Sequence, residues 1–194
     1  DHETDFAPPR WLPNVERDGE FGITFIDEIL LGMASVQASL YQLMTDGRLG
    51  SYIHPKGWHI VAASNRPEDG AGVHGRVDPA LMNRFAPHYN VVPSVNEWTE
   101  WAYQNGVAHE VIAFIQFRGE PSSEAGGLLH EYLDGGAPKG HIAVATPRSW
   151  EFVSEIIKCG LPKTIEADSI IGAVGMGAGS EFSSFLKVMR DIPS

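Results

Sequence analysis

One cysteine, Cys159, in 194 residues leaves no partner for an internal disulfide. A reducing, cytoplasmic setting is the expectation that follows. No run of about 18 apolar residues occurs, so no membrane span is expected. Basic residues are also scarce: 14 Lys and Arg against 25 Asp and Glu give a formal net charge of −11. That sign argues against a general nucleic-acid coat or a membrane-surface binder, both of which need cationic faces. A nucleic-acid motor with one local basic channel stays open. The first residues, Asp1-His2-Glu3-Thr4-Asp5, carry neither a signal-peptide pattern nor an initiator Met. We therefore expect a chain that begins partway through a longer product. There is no internal repeat and no low-complexity tract. Eight histidines are present, yet no two have the His-x-x-x-His spacing of a helical zinc site. His54 and His59 stand five apart across an expected turn.

The 43% apolar and 20% charged residues are ordinary for a globular chain that can bury a core. Residues 1–21, rich in Pro and charge, read as an irregular approach. Gly22 to Ile26 is a short apolar run suited to a central parallel strand. Met33, Val36, Leu40 and Leu43 recur at helical spacing, and Asp46-Gly47 stops that helix. Arg48 to Lys56 reads as a hairpin and His59 to Ser64 as a second buried strand. A Gly-rich loop then precedes a short helix near 78–83, and His88 to Val92 is a candidate third strand. Alternating strands and helices predict a parallel α/β sheet. After Pro93 the pattern turns helical. Trp98 with Trp101, Val111 with Phe114, Trp150 with Val153, and Phe182 with Phe185 mark four helices. Residues 119–145 read as a long connection. The expected division is an α/β part over 1–92 and an all-helical part over 93–194. Trp98, Trp101 and Trp150 are expected in the helical core, and Cys159 as a small buried residue.

Four features carry chemistry. Phe25-Ile26-Asp27-Glu28 is an apolar strand ending in two adjacent carboxylates. Ligands gather at the carboxyl ends of parallel strands, where one carboxylate can hold a hydrated Mg²⁺ and its neighbour can orient a water for attack on a phosphate. The alternative is a strand running into an acidic turn. Asn65 ends the second strand, where its amide can place the same water or simply form a turn. Arg84 closes the short helix. There it is either an ordinary helix-end cation or an arginine finger for a neighbouring subunit's phosphoryl group. Thr146-Pro147-Arg148 opens a helix with a good N-cap and a good first residue. That puts Arg148 against the helix dipole, a conflict that a bound anion would relieve.

Together these residues resemble a AAA+ ATPase. Asp27-Glu28 is similar to a Walker B motif, Asn65 to a sensor 1, Arg84 to an arginine finger and Arg148 to a lid sensor 2. The wording around them (Phe25-Ile26-Asp27-Glu28-Ile29, Ala63-Ser64-Asn65-Arg66, Thr146-Pro147-Arg148-Ser149-Trp150-Glu151) resembles the MoxR-like ATPases of bacteria and phages over nearly the whole chain. The resemblance implies the C-terminal part of a AAA+ parallel α/β core followed by a helical lid. It implies ATP and Mg²⁺, the metal held by Asp27 through water, with Glu28, Asn65 and Arg84 catalytic and Arg148 gripping phosphates. It implies a homo-oligomeric ring, usually a hexamer, that remodels a partner, often one with a von Willebrand factor A domain. The departure is the phosphate-binding loop, Gly-x-x-x-x-Gly-Lys-Ser/Thr, which residues 1–21 lack. Gly70 to Gly75 has the glycines but continues Arg76-Val77, without the lysine or hydroxyl. Gly135 to Gly140 and Gly172 to Gly177 also lack the lysine and read as turns or helix ends. The expected missing part is two strand–helix units, on the order of 60–90 residues. The alternatives are a non-catalytic ATPase-like interaction module and a nucleic-acid motor of the helicase or clamp-loader kind, though no basic pore loop is visible.

Overall fold

The computed structural model describes residues 8–32, 34–65, 79–91, 93–118, 129 and 143–191. The fold is mixed α/β, and the chain divides into two compact units, Asp1–Tyr89 and Asn90–Ser194.

In the first unit a short helix, α1 (Val15–Asp18), interrupts the expected irregular approach. Asn14 caps it by accepting from the Glu16 and Arg17 amides. Strand β1 (Gly22–Ile26) pairs in parallel with β4 (Trp58–Ala62), in a register that runs from Gly22↔Trp58 to Ile26↔Ala62. The strands start together because Gly57 lets the backbones meet: a Cβ there would lie 2.1 Å from the Glu20 carbonyl oxygen. Between them come a 3₁₀ turn (Ile29–Leu31), helix α2 (Ala34–Asp46) and a small antiparallel hairpin, β2 (Arg48–Leu49) with β3 (Tyr52–Ile53). Gly47, at φ 63, ends α2 and donates to the Leu43 carbonyl. Helix α3 (Pro79–Met82) closes the unit. Leu12, Ile29, Leu30, Leu40, Leu43 and Leu81 form its buried core.

Three expectations for the α/β part over 1–92 fail. Residues 88–91 are not a strand: no neighbour among the described residues pairs with them, and Tyr89 and Val91 are exposed. Val36 is exposed rather than part of the buried face of α2, and Met33 lies outside the described residues. The strands are buried on one face only, since Ile23, Phe25 and Val61 face outward. The glycine loop at 70–75 also lies outside the described residues.

The second unit is helical: α4 (Val95–Gln104), α5 (His109–Arg118), α6 (Pro147–Lys158), α7 (Lys163–Val174) and α8 (Met176–Asp191). Ser94 caps α4. Thr146 caps α6 through a reciprocal box with Ser149, and Pro147 is its first residue. Phe114 centres an aromatic cluster, its ring 5.6 Å from Trp150, 5.0 Å from Phe182 and 5.2 Å from Phe185. Where four helices were expected, five form among the described residues. Helix α7 was hidden because its buried face runs Glu166, Ile170, Val174, with a carboxylate in the apolar stripe. Only Gly175, at φ 87, joins α7 to α8, so Gly172 and Gly177 fall at helix ends, in the last turn of α7 and the first of α8. Gly179 is required for that packing, because a Cβ there would lie 2.7 Å from the Ile171 Cα. Trp98 and Trp150 are buried as expected, but Trp101 is 39% exposed, on the outer side of α4. Cys159 is exposed, because α6 ends at Lys158 and turns there toward Gly160 at φ 63. Of the expected connection over 119–145, only Leu129 and 143–145 are described; Leu129 and Ala145 are buried in the helical core.

Candidate functional site

Parallel pairing brings the ends of β1 and β4 side by side. The ladder continues past both strands: Ala63 donates to the Ile26 carbonyl at 2.9 Å, and Ile29 to the Ala63 carbonyl at 3.2 Å. Asp27-Glu28 and Ser64-Asn65 therefore leave the sheet as neighbours, at the end where open parallel sheets bind ligands.

Glu28 is held in an unusual way. Its backbone is left-handed, with φ 52 and ψ 42, and it is the non-glycine residue with positive φ among those described. That conformation costs on the order of 1 kcal/mol for a residue with a Cβ. Asp27 Oδ1 accepts from the Glu28 amide at 3.0 Å, and the Leu31 amide donates to the Glu28 carbonyl at 2.9 Å. The Asn65 amide nitrogen donates to Glu28 Oε1 at 3.1 Å. The second carboxylate oxygen, Oε2, is buried with no protein partner. Ser64, which sequence reasoning did not single out, braces the turn by accepting from the Leu30 amide. The side chains of Asp27 and Asn65 stay exposed.

Arg84 lies in the same unit but is occupied. Its Nε donates to Thr45 Oγ1 at 2.7 Å, its Nη1 to the Ala80 carbonyl at 2.7 Å, and its Nη2 to the Tyr41 hydroxyl. The guanidinium carbon sits 3.9 Å from the centroid of the Tyr41 ring. Arg84 thus ties the end of α3 to α2. Tyr41 and Thr45 were missed in the sequence, although their separation of four places them on one face of α2. Arg148 belongs to the other unit. It is the second residue of α6 and is exposed, with no hydrogen-bond or ion-pair partner among the described residues.

A hydrated Mg²⁺ takes one or two carboxylates and completes its shell with waters and phosphate oxygens. Asp27, exposed at a strand tip, fits that need, and the orphaned Glu28 oxygen is an acceptor aimed at no protein donor. No group of three or more potential metal ligands exists among the described residues, so a protein-only metal cage is not formed there. None of the described helices is long and apolar enough to cross a membrane. Compared with protein-family models, with curated proteins and with solved structures, the chain matches none.

Proposed function

We propose that the chain carries the Walker B and sensor 1 half of a AAA+ nucleotide site of the MoxR-like kind, followed by its helical lid. The observation that supports this reading best is the Asn65–Glu28 contact at the tips of two adjacent parallel strands, with one Glu28 oxygen left free. A carboxylate fixed by an amide through one oxygen keeps the other, buried without a protein partner, as an acceptor for a water that enters the site with nucleotide. Glu28 would orient and polarise that water toward a terminal phosphate, and Asn65 would set the angle of the carboxylate. Asp27 would hold water molecules of the Mg²⁺ shell. The ion, when bound with nucleotide, neutralises charge on the phosphates. Arg148, at a helix start where a cation lacks local compensation, would grip phosphate oxygens from the lid. The amides and lysine of a phosphate-binding loop must come from outside these 194 residues. The chain alone is then expected not to hydrolyse ATP. On this reading ATP hydrolysis, assembly into a homo-oligomeric ring and action on a partner protein require a product that also carries that loop.

The test is Glu28→Gln in the product that carries the loop. The substitution keeps size and hydrogen bonding, so nucleotide binding should persist while turnover falls by roughly 10² or more. Equal loss of binding and of rate would assign Glu28 a structural role and remove the reading.

One observation favours the second reading, a non-catalytic ATPase-like module. Arg84 spends its donors inside its own unit, whereas a finger in trans must offer them to a neighbour. Mixing decides between them. An Arg84→Ala protein and a Glu28→Gln protein, each inactive alone, should recover activity in shared rings if Arg84 acts across an interface. Subunit exchange without recovery would leave Arg84 as a structural clip.

A further inference from the structure

The start of α7 and the end of α8 line a cavity of about 210 Å³. Ile170 and Leu186, both buried, give it an apolar lining. One wall is an internal ion pair: Arg190 donates through both terminal nitrogens to Glu166, at 2.6 and 3.1 Å. Glu166 is 6% exposed, and the pair is charge-neutral within itself. Two further cations flank the opening from opposite helices, Lys163 on α7 and Lys187 on α8, and Asp191 is the remaining acid of the lining. Neither lysine has an ion-pair partner among the described residues. The dipole of α8 accounts for Lys187 and Arg190, which stand near its C-terminal end. It does not account for Lys163, the first residue of α7, where the dipole disfavours a cation. In a chain of net charge −11, a cavity lined by Lys163, Lys187 and Arg190 against Glu166 and Asp191 is a local reversal of sign.

We infer that this cavity binds a small organic anion, its oxyanion head between Lys163 and Lys187 and a short apolar body over Ile170 and Leu186. Long lysine stems can lie along apolar surface while their ammonium groups meet the head. The bidentate Glu166–Arg190 pair, its carboxylate buried and its guanidinium partly exposed, fixes one wall, so the pocket is built before a ligand arrives. This site is independent of the nucleotide reading, since none of its residues takes part in that one.

The test is a titration of the 194-residue chain at constant ionic strength, followed by NMR of the Ile170 and Leu186 methyl groups. Hexanoate is the probe, with acetate and inorganic phosphate as comparisons. Hexanoate should saturate with a Kd of about 1 mM or tighter, the range open to a fragment of its size. Acetate, which lacks the apolar body, should bind at least about tenfold more weakly, and so should phosphate. Lys163→Gln combined with Lys187→Gln should weaken hexanoate about tenfold or more. Both positions are exposed, and the unperturbed spectrum of the variant verifies its fold. Lys163→Gln alone provides the same reading at smaller amplitude. Lys158→Gln, at a lysine paired with Glu155, should change nothing. Absence of saturation, equal binding of acetate or phosphate, or hexanoate binding that survives the double substitution would each overturn the inference.

Discussion

The two units bury themselves to different degrees, and the candidate chemistry sits on the less finished one. In the helical unit Trp150, Phe114 and Phe182 interlock at the centre of a core drawn from all five helices. Its buried carboxylate, Glu166, has a bidentate partner. In the α/β unit six buried apolar residues make the core among the described residues, and Ile23, Phe25 and Val61 leave one face of β1 and β4 exposed. Parallel sheets are normally covered on both faces. A unit with a small core and a bare sheet face has little margin for local change, yet it carries the strained Glu28. One unit buries a large aromatic core; the other carries the candidate site on a sheet with an exposed face.

Emptying the larger core is the strongest way to break this contrast. Trp150→Ala removes a fully buried indole at the aromatic cluster and should cost about 3–5 kcal/mol. The expected result is loss of the helical unit's transition in denaturant, read by near-ultraviolet circular dichroism. Exchange protection of the β1 and β4 amides should remain. If β1 and β4 lose protection at the same denaturant concentration, the units unfold as one and the contrast is wrong.

Arg84→Ala probes the smaller core. The guanidinium serves three acceptors and covers the Tyr41 ring, so its removal should cost about 2 kcal/mol of the α/β unit's stability. Arg84→Lys should recover little of this, because one ammonium cannot span Thr45, Tyr41 and the Ala80 carbonyl. An Arg84→Ala chain as stable as its parent would show that the clip is dispensable and that the residue is free to act elsewhere.

The sequence was legible where a local rule had no competitor. The cap at Thr146, the stop at Gly47 and the carboxylates at the end of β1 follow from spacing and residue type. Legibility failed where the deciding partner lay far along the chain. Helix α7 went unseen because Glu166 breaks its apolar stripe, and the Arg190 that neutralises it is 24 residues away. The occupation of Arg84 depends on Thr45 and Tyr41, 39 and 43 residues before it. His88 to Val91 has strand-like composition, but a strand also needs a neighbour, and none among the described residues pairs with it. The closeness of Asp27, Glu28 and Asn65 was readable as an inference from parallel pairing. The left-handed backbone of Glu28 and its orphaned oxygen were not.

A milder probe of the α/β unit uses pH. His54 is buried beneath β1, hydrogen-bonded to Thr24 at 3.1 Å, and burial pushes its pKa below the ordinary value of 6.5. A backbone hydrogen bond to Pro55 opposes that shift without cancelling it. The unfolded chain then binds a proton at a higher pH than the folded one. Stability should be flat above about pH 6.5 and fall as pH drops below it, by no more than about 1.4 kcal/mol per pH unit for one proton. His54→Gln should flatten that limb in urea midpoints measured from pH 7.5 to 5.5. A slope that survives the substitution would assign the acid sensitivity to another group.

The smallest stability effect is expected at the bare sheet face, and that absence of effect is the informative result. Phe21, Ile23, Phe25 and Val61 lie exposed along β1 and β4, and the register sets Phe25 directly beside Val61. A contiguous apolar face of this kind is unusual on a finished unit. If nothing in the chain covers it, Phe25→Lys removes no buried contact, and the denaturation midpoint should move by no more than about 0.5 kcal/mol. Binding of a hydrophobic dye such as ANS should fall sharply at the same time, because the charge interrupts the patch. Val61→Lys, on the neighbouring strand, should repeat both results, whereas Leu43→Lys, in the buried core, should unfold the unit. A loss of about 2 kcal/mol or more in Phe25→Lys would mean that the face is covered in solution. The α/β unit would then be covered no less than the helical one, and the contrast between them would be wrong.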